Sequence, residues 1–428
     1  MKTIRQLICL CLCLMLGCAC AETPAAFTDF AAQLRLNTAS ETVKTEATVK
    51  TFVDGDTTHF LVPESVTSSG VLRARYLAVN TPEITGKVEE YGKKAAAFTR
   101  EKLLHAESIL LESDDGQWNL DSTGDRHLVW VWYIPQGGSE YRCLNLELLQ
   151  NGLAIANSTA NNRYGSTCVA ALNQAKAAKL HVYSGQKDPD FYYGEAVELT
   201  LRELRTNVEA YSGMKVAFSG IVTLNRNQSV YVESFDPETD LYFGMPVYYG
   251  YNMSGAGLDI LSVGNEVRIV GTLQYYEAGG TWQVSGLSYR MMKPDDPGNI
   301  RKLSEGHSAA YALVDAQTFA GETVIETAEG EKRFPWAQLA LGTTVTIPGL
   351  TVESAAAAQE DSCSEAITLN CSSGDTTILV YAESMHENSS LISPERYTNQ
   401  TVSVRGVVDY HNGAYQISVL TPDQITIE

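Results

Sequence analysis

One run of residues occurs twice in the second half of the chain. Val267-Arg268-Ile269-Val270-Gly271, then Tyr275, then Thr281-Trp282-Gln283-Val284-Ser285 is echoed by Val402-Ser403-Val404-Arg405-Gly406, Tyr410 and Ala414-Tyr415-Gln416-Ile417-Ser418. The glycine-to-tyrosine spacing is identical, while the turn Tyr276 to Gly280 becomes the shorter His411 to Gly413. Both copies are rich in β-branched and aromatic residues and carry a turn at the same place, which makes them hairpins and excludes a helical repeat. A hairpin cannot bury its own apolar face, so each copy needs further strands around it. The repeat therefore predicts two small mostly-β barrels of OB type, over residues 198–292 and 305–428. Lys293-Pro294-Asp295-Asp296-Pro297-Gly298 is the linker between them.

A different pattern precedes the linker Lys187-Asp188-Pro189-Asp190. Thr48 to Val53 and Thr57 to Val62 alternate as strands around Asp54-Gly55-Asp56, a hairpin signal. Another strand is expected at Val71 to Val79. Helical spacing then appears at Glu90 to His105, where Tyr91, Ala95, Phe98, Leu103 and Leu104 share a face. A strand at Leu128 to Ile134 and helices at Leu144 to Gln150 and Cys168 to Leu180 complete an α+β unit over 46–185. Residues 22–45 form a polar lead-in with a short amphipathic stretch, Phe27 to Leu36.

Residues 1–21 read as an export signal: Lys2 and Arg5 precede an unbroken apolar run from Leu7 to Leu16, too short to span a bilayer. Two processing readings stay open. Ala19-Cys20-Ala21 fits a small-residue cleavage site, which would make the protein secreted. Met15-Leu16-Gly17-Cys18 resembles a bacterial lipobox, which would lipidate Cys18 and hold the protein at the cell surface. Outside this leader remain Cys143, Cys168, Cys363 and Cys371. In an oxidising exterior the economical pairing is Cys143 with Cys168 and Cys363 with Cys371, the other reading being four buried thiols.

The first unit also holds an unusual mixture. Asp54-Gly55-Asp56-Thr57, Arg75, Asn80-Thr81-Pro82-Glu83 and Arg126 combine acidic and amide oxygens with two guanidinium groups. Phosphodiester cleavage places extra negative charge on a trigonal-bipyramidal phosphorus, which a hard cation and arginine forks stabilise. A hard cation takes oxygen ligands, and a carboxylate such as Glu83 can deprotonate water. Alone, Asp-Gly-Asp is equally a surface turn. His59 reads as a strand residue, and Lys93 and Lys94 as a solvated helix edge.

Residues 46–184 resemble the staphylococcal nuclease (thermonuclease) family. The likeness is carried by Val53-Asp54-Gly55-Asp56-Thr57, Arg75-Tyr76-Leu77-Ala78-Val79-Asn80-Thr81-Pro82-Glu83 and Val88-Glu89-Glu90-Tyr91-Gly92 with Ala97-Phe98-Thr99. It continues through Asp121 to Leu128, Asn151-Gly152-Leu153-Ala154 and Gln174-Ala175-Lys176 to Ser184. The resemblance implies a five-stranded OB barrel with three helices that hydrolyses DNA or RNA to 3′-phosphate ends. It implies one Ca²⁺ held by Asp56, Asn80 and the Thr81 carbonyl, with Glu83 acting on water and Arg75 and Arg126 on the phosphate. Three departures matter. Asn80 stands where the family has Asp, so a weaker metal site is expected. The family's nucleotide-contacting tyrosines have no counterpart at Ser158, Ala160 or beside Gly124. Thr85-Gly86-Lys87 is shorter than the family's mobile loop, and Asp125 is inserted before Arg126.

Charge qualifies the partner. The net charge is −20, from 31 basic and 51 acidic side chains. Residues 45–184 carry 13 basic and 16 acidic groups, a net −3, and residues 185–428 carry 14 and 32, a net −18. The barrels would repel a phosphate backbone, and nonspecific coating of nucleic acid by the whole chain is excluded. Their ligand stays unassigned. Their aromatic residues, Tyr248-Tyr249-Gly250-Tyr251, Tyr275-Tyr276 and Trp282, are either base-stacking platforms or cross-strand packing. The functional expectation is an exported metal-dependent nuclease, the alternative being a catalytically weak nuclease-derived binding lipoprotein.

Overall fold

The computed structural model describes residues 27–428, apart from 227, 252, 278, 358–365, 384 and 388–389. The leader with Cys18, and Cys363, lie outside the described residues. Three hydrophobic cores follow one another along the chain, each inside a five-stranded barrel.

The first unit contains α1 (Phe30–Gln33), β1 (Lys44–Phe52), β2 (Thr57–Leu61), β3 (Val71–Tyr76), β4 (Val79–Asn80), α2 (Gly92–Leu104), β5 (Ala106–Glu112), β6 (His127–Pro135), β7 (Arg142–Cys143), α3 (Leu144–Gln150), β8 (Ile155–Ala156) and α4 (Gly165–Ala177). Its sheet runs β3-β2-β1-β5-β6-β7 and closes where β3 pairs in parallel with β6. Trp130 and Trp132, fully buried on β6, fill this core. The indole N–H of Trp132 donates to Glu112 at 2.8 Å, so neither the ring nor the carboxylate is buried without a partner.

The second barrel uses Lys215–Arg226, Ser229–Asp236, Leu241–Tyr248, Glu266–Tyr276 and Thr281–Ser285. The third uses Thr344–Ala357, Ile367–Ser373, Thr376–Ala382, Thr401–His411 and Ala414–Val419. All three barrels share one topology. Strands one, two and three are antiparallel neighbours, strand three pairs in parallel with strand five, and strand four joins strand five to strand one. The repeat found in the sequence is the strand-four to strand-five hairpin, with Tyr275 facing Trp282 and Tyr410 facing Tyr415. These rings meet across the strands at 5.4 and 4.8 Å, the packing alternative. Arg301–Ser304, which falls between the two barrel spans expected from sequence, adds a strand to the second barrel.

The cysteine pairing is corrected. Cys143 and Cys168 are free and fully buried in the first core, and Cys371 is free in the third. Burial pushes all three thiols up. They pack there as small apolar groups.

The barrels dock through buried polar bonds. Glu233 of the second accepts from Thr344 N at 2.7 Å and Ala310 N at 2.8 Å. Arg205 donates to the carbonyls of Gly244 and Leu341 at 2.6 and 2.9 Å. The first unit meets the second barrel where Gln274 Nε2 donates to the Ile84 carbonyl and Arg100 pairs with Glu277.

Candidate active site

Strand register assembles the site. Thr57 lies opposite Arg75 in the β2–β3 ladder, and Tyr76 N donates to the Asp56 carbonyl at 2.9 Å. The Asp-Gly-Asp turn therefore delivers its second carboxylate to the end of β3. The turn is fixed from behind: Asp56 N donates to Asp54 Oδ1 at 3.1 Å, and Thr99 on α2 donates to the Gly55 carbonyl at 2.6 Å. A Cβ at Gly55 would lie 2.8 Å from the Thr81 side chain, so only glycine lets the turn approach that segment.

Asp56, Arg75, Asn80 and Thr81 come together. Arg75 Nη1 donates to Asp56 Oδ1 and its Nη2 to Asn80 Oδ1. Thr81 N donates to Asp56 Oδ2 at 2.7 Å. Of Thr81, then, the amide is seen on Asp56, whereas the sequence assigned its carbonyl to a metal. Glu83 lies at the edge of this group. Its amide donates to Glu89 Oε2 at 3.3 Å and its carbonyl accepts from Glu89 N at 2.9 Å, which closes the short loop between them. Burial and the neighbouring Asp54 carboxylate push both Asp56 and Glu83 above the usual carboxylate range, against the pull of Arg75.

Arg126 approaches from the loop before β6. Its Nε donates to Asp121 at 2.8 Å, and its Nη2 lies 2.6 Å from the same carboxylate. Burial opposes ionisation of Asp121, but bonds from Thr123 and Arg126 hold its carboxyl below the ordinary value. The inserted Asp125 is taken by Arg73 at 2.8 Å on the exposed side, so the insertion does not displace Arg126. Arg75 and Arg126 line one pocket of about 300 Å³, together with Asn157, Ser158 and Asn162. Ser158, where the family places a tyrosine, lines this pocket with a hydroxyl in place of a ring.

The donors suit a hard cation in kind, since all are oxygens and Thr81 Oγ1 is buried with no hydrogen-bond partner. They do not form a protein cage. Among the described residues no three His, Cys, Asp or Glu side chains are grouped to hold a metal. A cation would share Asp56 and Asn80 with Arg75, and would draw further oxygens from Thr81, water or substrate. Asp54, Glu89 and Asp121 are the supporting residues to which sequence reasoning assigned no role. All three lie in segments that carried the resemblance: Asp54 in the Asp-Gly-Asp turn, Glu89 in Val88-Glu89-Glu90-Tyr91-Gly92 and Asp121 at the start of the Asp121 to Leu128 stretch.

Residues 73–184 match the family model described as staphylococcal nuclease homologue. That span begins on β3, takes in Arg75, Asn80, Thr81, Glu83 and Arg126, and stops short of β1, β2 and Asp56. The barrel closes only with those first two strands, so the structural unit is longer than the matched span. Most of the first unit, residues 73–184, thus matches a staphylococcal nuclease homologue domain, and that unit is joined in this chain to two further barrels of the same topology.

Proposed function

We propose that the first domain hydrolyses phosphodiester bonds of DNA or RNA outside the cytoplasm. The observation that carries this reading is the pairing of Arg75 and Arg126 on one pocket, with Asp56 bonded to Arg75 at its edge. Two guanidiniums on one concave surface suit the non-bridging oxygens of a phosphodiester. In the reaction, water attacks phosphorus and passes its proton to Glu83 as the new O–P bond forms. The bond from phosphorus to the 5′-oxygen breaks, and that oxygen leaves with a proton from solvent, giving a 3′-phosphate. Arg75 and Arg126 hold the charge that builds on the equatorial oxygens. A bound Ca²⁺ would add positive charge at the phosphate, held by Asp56, Asn80 and Thr81.

The basic start and apolar run of residues 1–21 support export, by cleavage near Ala21 or by lipidation of Cys18. The placement of Arg75 across Asp56 and Asn80 favours the second reading, a binding lipoprotein with little hydrolysis, because it occupies both oxygens. Nicking of plasmid and single-stranded DNA by the full chain, with Ca²⁺, with EDTA and with Glu83→Gln, separates the two. EDTA-sensitive cleavage lost about 10²–10⁴-fold in Glu83→Gln supports hydrolysis; cleavage absent from the purified wild type sinks it.

A further inference from the structure

A second cavity, of about 370 Å³, lies between the nuclease-homologue domain and the second barrel. One wall comes from the first domain: Phe52 at the end of β1, and Lys93 and Arg100 on α2. The other wall is the hairpin that carries Tyr275, Tyr276 and Gln283. Asp54 and Ile84 also line it. These two residues tie the cavity to the catalytic group, since Asp54 binds the Asp56 amide and Ile84 directly follows Glu83.

The chemistry of the cavity is specific in three ways. Tyr276, a residue 41% exposed, lines this wall and offers a ring on which a planar ligand can stack. Lys93 lines the cavity and makes no ion pair or hydrogen bond to a described residue. Its Nζ reaches the backbone of Gly213, where any Cβ would collide with it, so the second barrel leaves room for this cation. Arg100, over the Phe52 ring at 4.7 Å, reaches across to Glu277 and ties the two walls together. Aromatic ring and free ammonium are the elements that hold a base and its phosphate in single-strand sites. The volume is at the low end of small-ligand pockets, which span about 300–1,000 Å³. A cleft roofed by a second domain admits a single unstacked nucleotide and excludes a duplex.

We propose that this interdomain cleft is a subsite for a nucleotide adjacent to the scissile phosphate on single-stranded substrate, with its base on Tyr276 and its phosphate on Lys93. The proposal rests on the nuclease reading above, and it supplies from the second barrel an aromatic contact that Ser158 and Ala160 do not provide. It also turns one corner of an acidic barrel into part of the substrate path.

The test is binding and cleavage of a fluorescent oligothymidylate by the full chain and by Lys93→Gln, Tyr276→Leu and the conservative Lys93→Arg and Tyr276→Trp. Binding is measured in EDTA across a salt series. Expected are an affinity about tenfold weaker in Tyr276→Leu, a salt slope shallower by about 0.7 in Lys93→Gln, and recovery in both conservative variants. With Ca²⁺ the losses are expected in KM on the single strand. Wild-type cleavage with Lys93→Gln and Tyr276→Leu binding as wild type overturns the subsite and leaves the nuclease reading intact. Binding that depends on Lys93 and Tyr276 without any cleavage supports the subsite and overturns hydrolysis. A wild type that binds no oligonucleotide overturns the subsite.

Discussion

Gln274→Ala cuts the second barrel from the loop that follows Glu83. In the native chain Gln274 Nε2 donates to the Ile84 carbonyl, while its Oε1 accepts from Ser285 Oγ. The alanine side chain would make neither bond and would leave a part-buried carbonyl to find water. The Ser285 bond lies within the second barrel and is the same in both forms, so only the Ile84 bond counts, and the docked loop loses about 1 kcal/mol relative to an undocked one. That is a shift of about fivefold in the ratio of docked to undocked forms. The Glu83–Glu89 bonds within the loop survive the change, so it stays folded but moves as a unit. Hydrogen exchange at residues 84–89 is therefore expected to speed up by up to about fivefold, with the other amides of the first core unaffected. If catalysis needs Glu83 held by this contact, kcat falls in step, because small misplacements of a catalytic group are costly. Exchange mass spectrometry and single-turnover cleavage read the two effects separately. Unchanged exchange in the loop refutes the docking argument; faster exchange with unchanged kcat refutes only its link to catalysis.

Three further outcomes are expected. Asn80→Asp restores a carboxylate beside Asp56 and is expected to tighten Ca²⁺ binding about tenfold or more by calorimetry, whereas unchanged affinity would remove Asn80 from the metal site. Glu233→Gln places an amide N–H against the Thr344 and Ala310 donors and is expected to cost about 1–3 kcal/mol. Burial raises the Glu233 carboxyl above its usual 4.5, so its contribution is full below that value and fades as pH rises through the raised pKa; the Gln variant loses this part of the pH dependence of denaturant unfolding. Cys143 and Cys168, buried thiols pushed up in pKa, are expected to resist thiol reagents in the native state and to react fully on unfolding, while a reagent-resistant but reducible pair would show a bond between them.

Local chemistry made much of the first domain readable before its structure. Asp-Gly-Asp marked the β1–β2 turn, the spacing of Tyr91, Ala95 and Phe98 marked α2, and the arginine and carboxylate segments fall at the site. Strand β5 was missed because Ala106-Glu107-Ser108-Ile109 follows Leu104 almost at once, with no glycine or proline to end the helix. The partner of Arg126 was missed because an aspartate five residues away looks like any loop aspartate until the hairpin folds. Lys93 read as a solvated helix edge for a related reason: the wall that makes it part of a cleft comes from a hairpin nearly two hundred residues later. The Gln274–Ile84 contact, between residues 190 positions apart, has no local signature at all. The cysteine pairing failed differently, since proximity in one core does not supply the geometry a disulfide needs.

The three barrels show why topology alone would have misled. Each closes through a parallel pairing of its third and fifth strands, and in the first that pairing sets Arg75 beside Leu128. At the same junction the second barrel has Val247 against Val284 and the third has Leu379 against Gln416. The connection after strand three differs as well. In the first barrel it carries Asn80, Thr81, Glu83 and α2, whereas in the second it carries a single helical turn, Ala256–Ile260. The arginine and carboxylate set thus belongs to one strand end and one connection, and a barrel without them has the fold but not the chemistry. A net charge of −18 in the other two is then no obstacle to a nucleic-acid substrate. It would confine a substrate strand to the nearly neutral first domain and to the proposed cleft edge where Lys93 and Arg100 face the second barrel, since elsewhere on those barrels carboxylates outnumber the cations that could offset a phosphate.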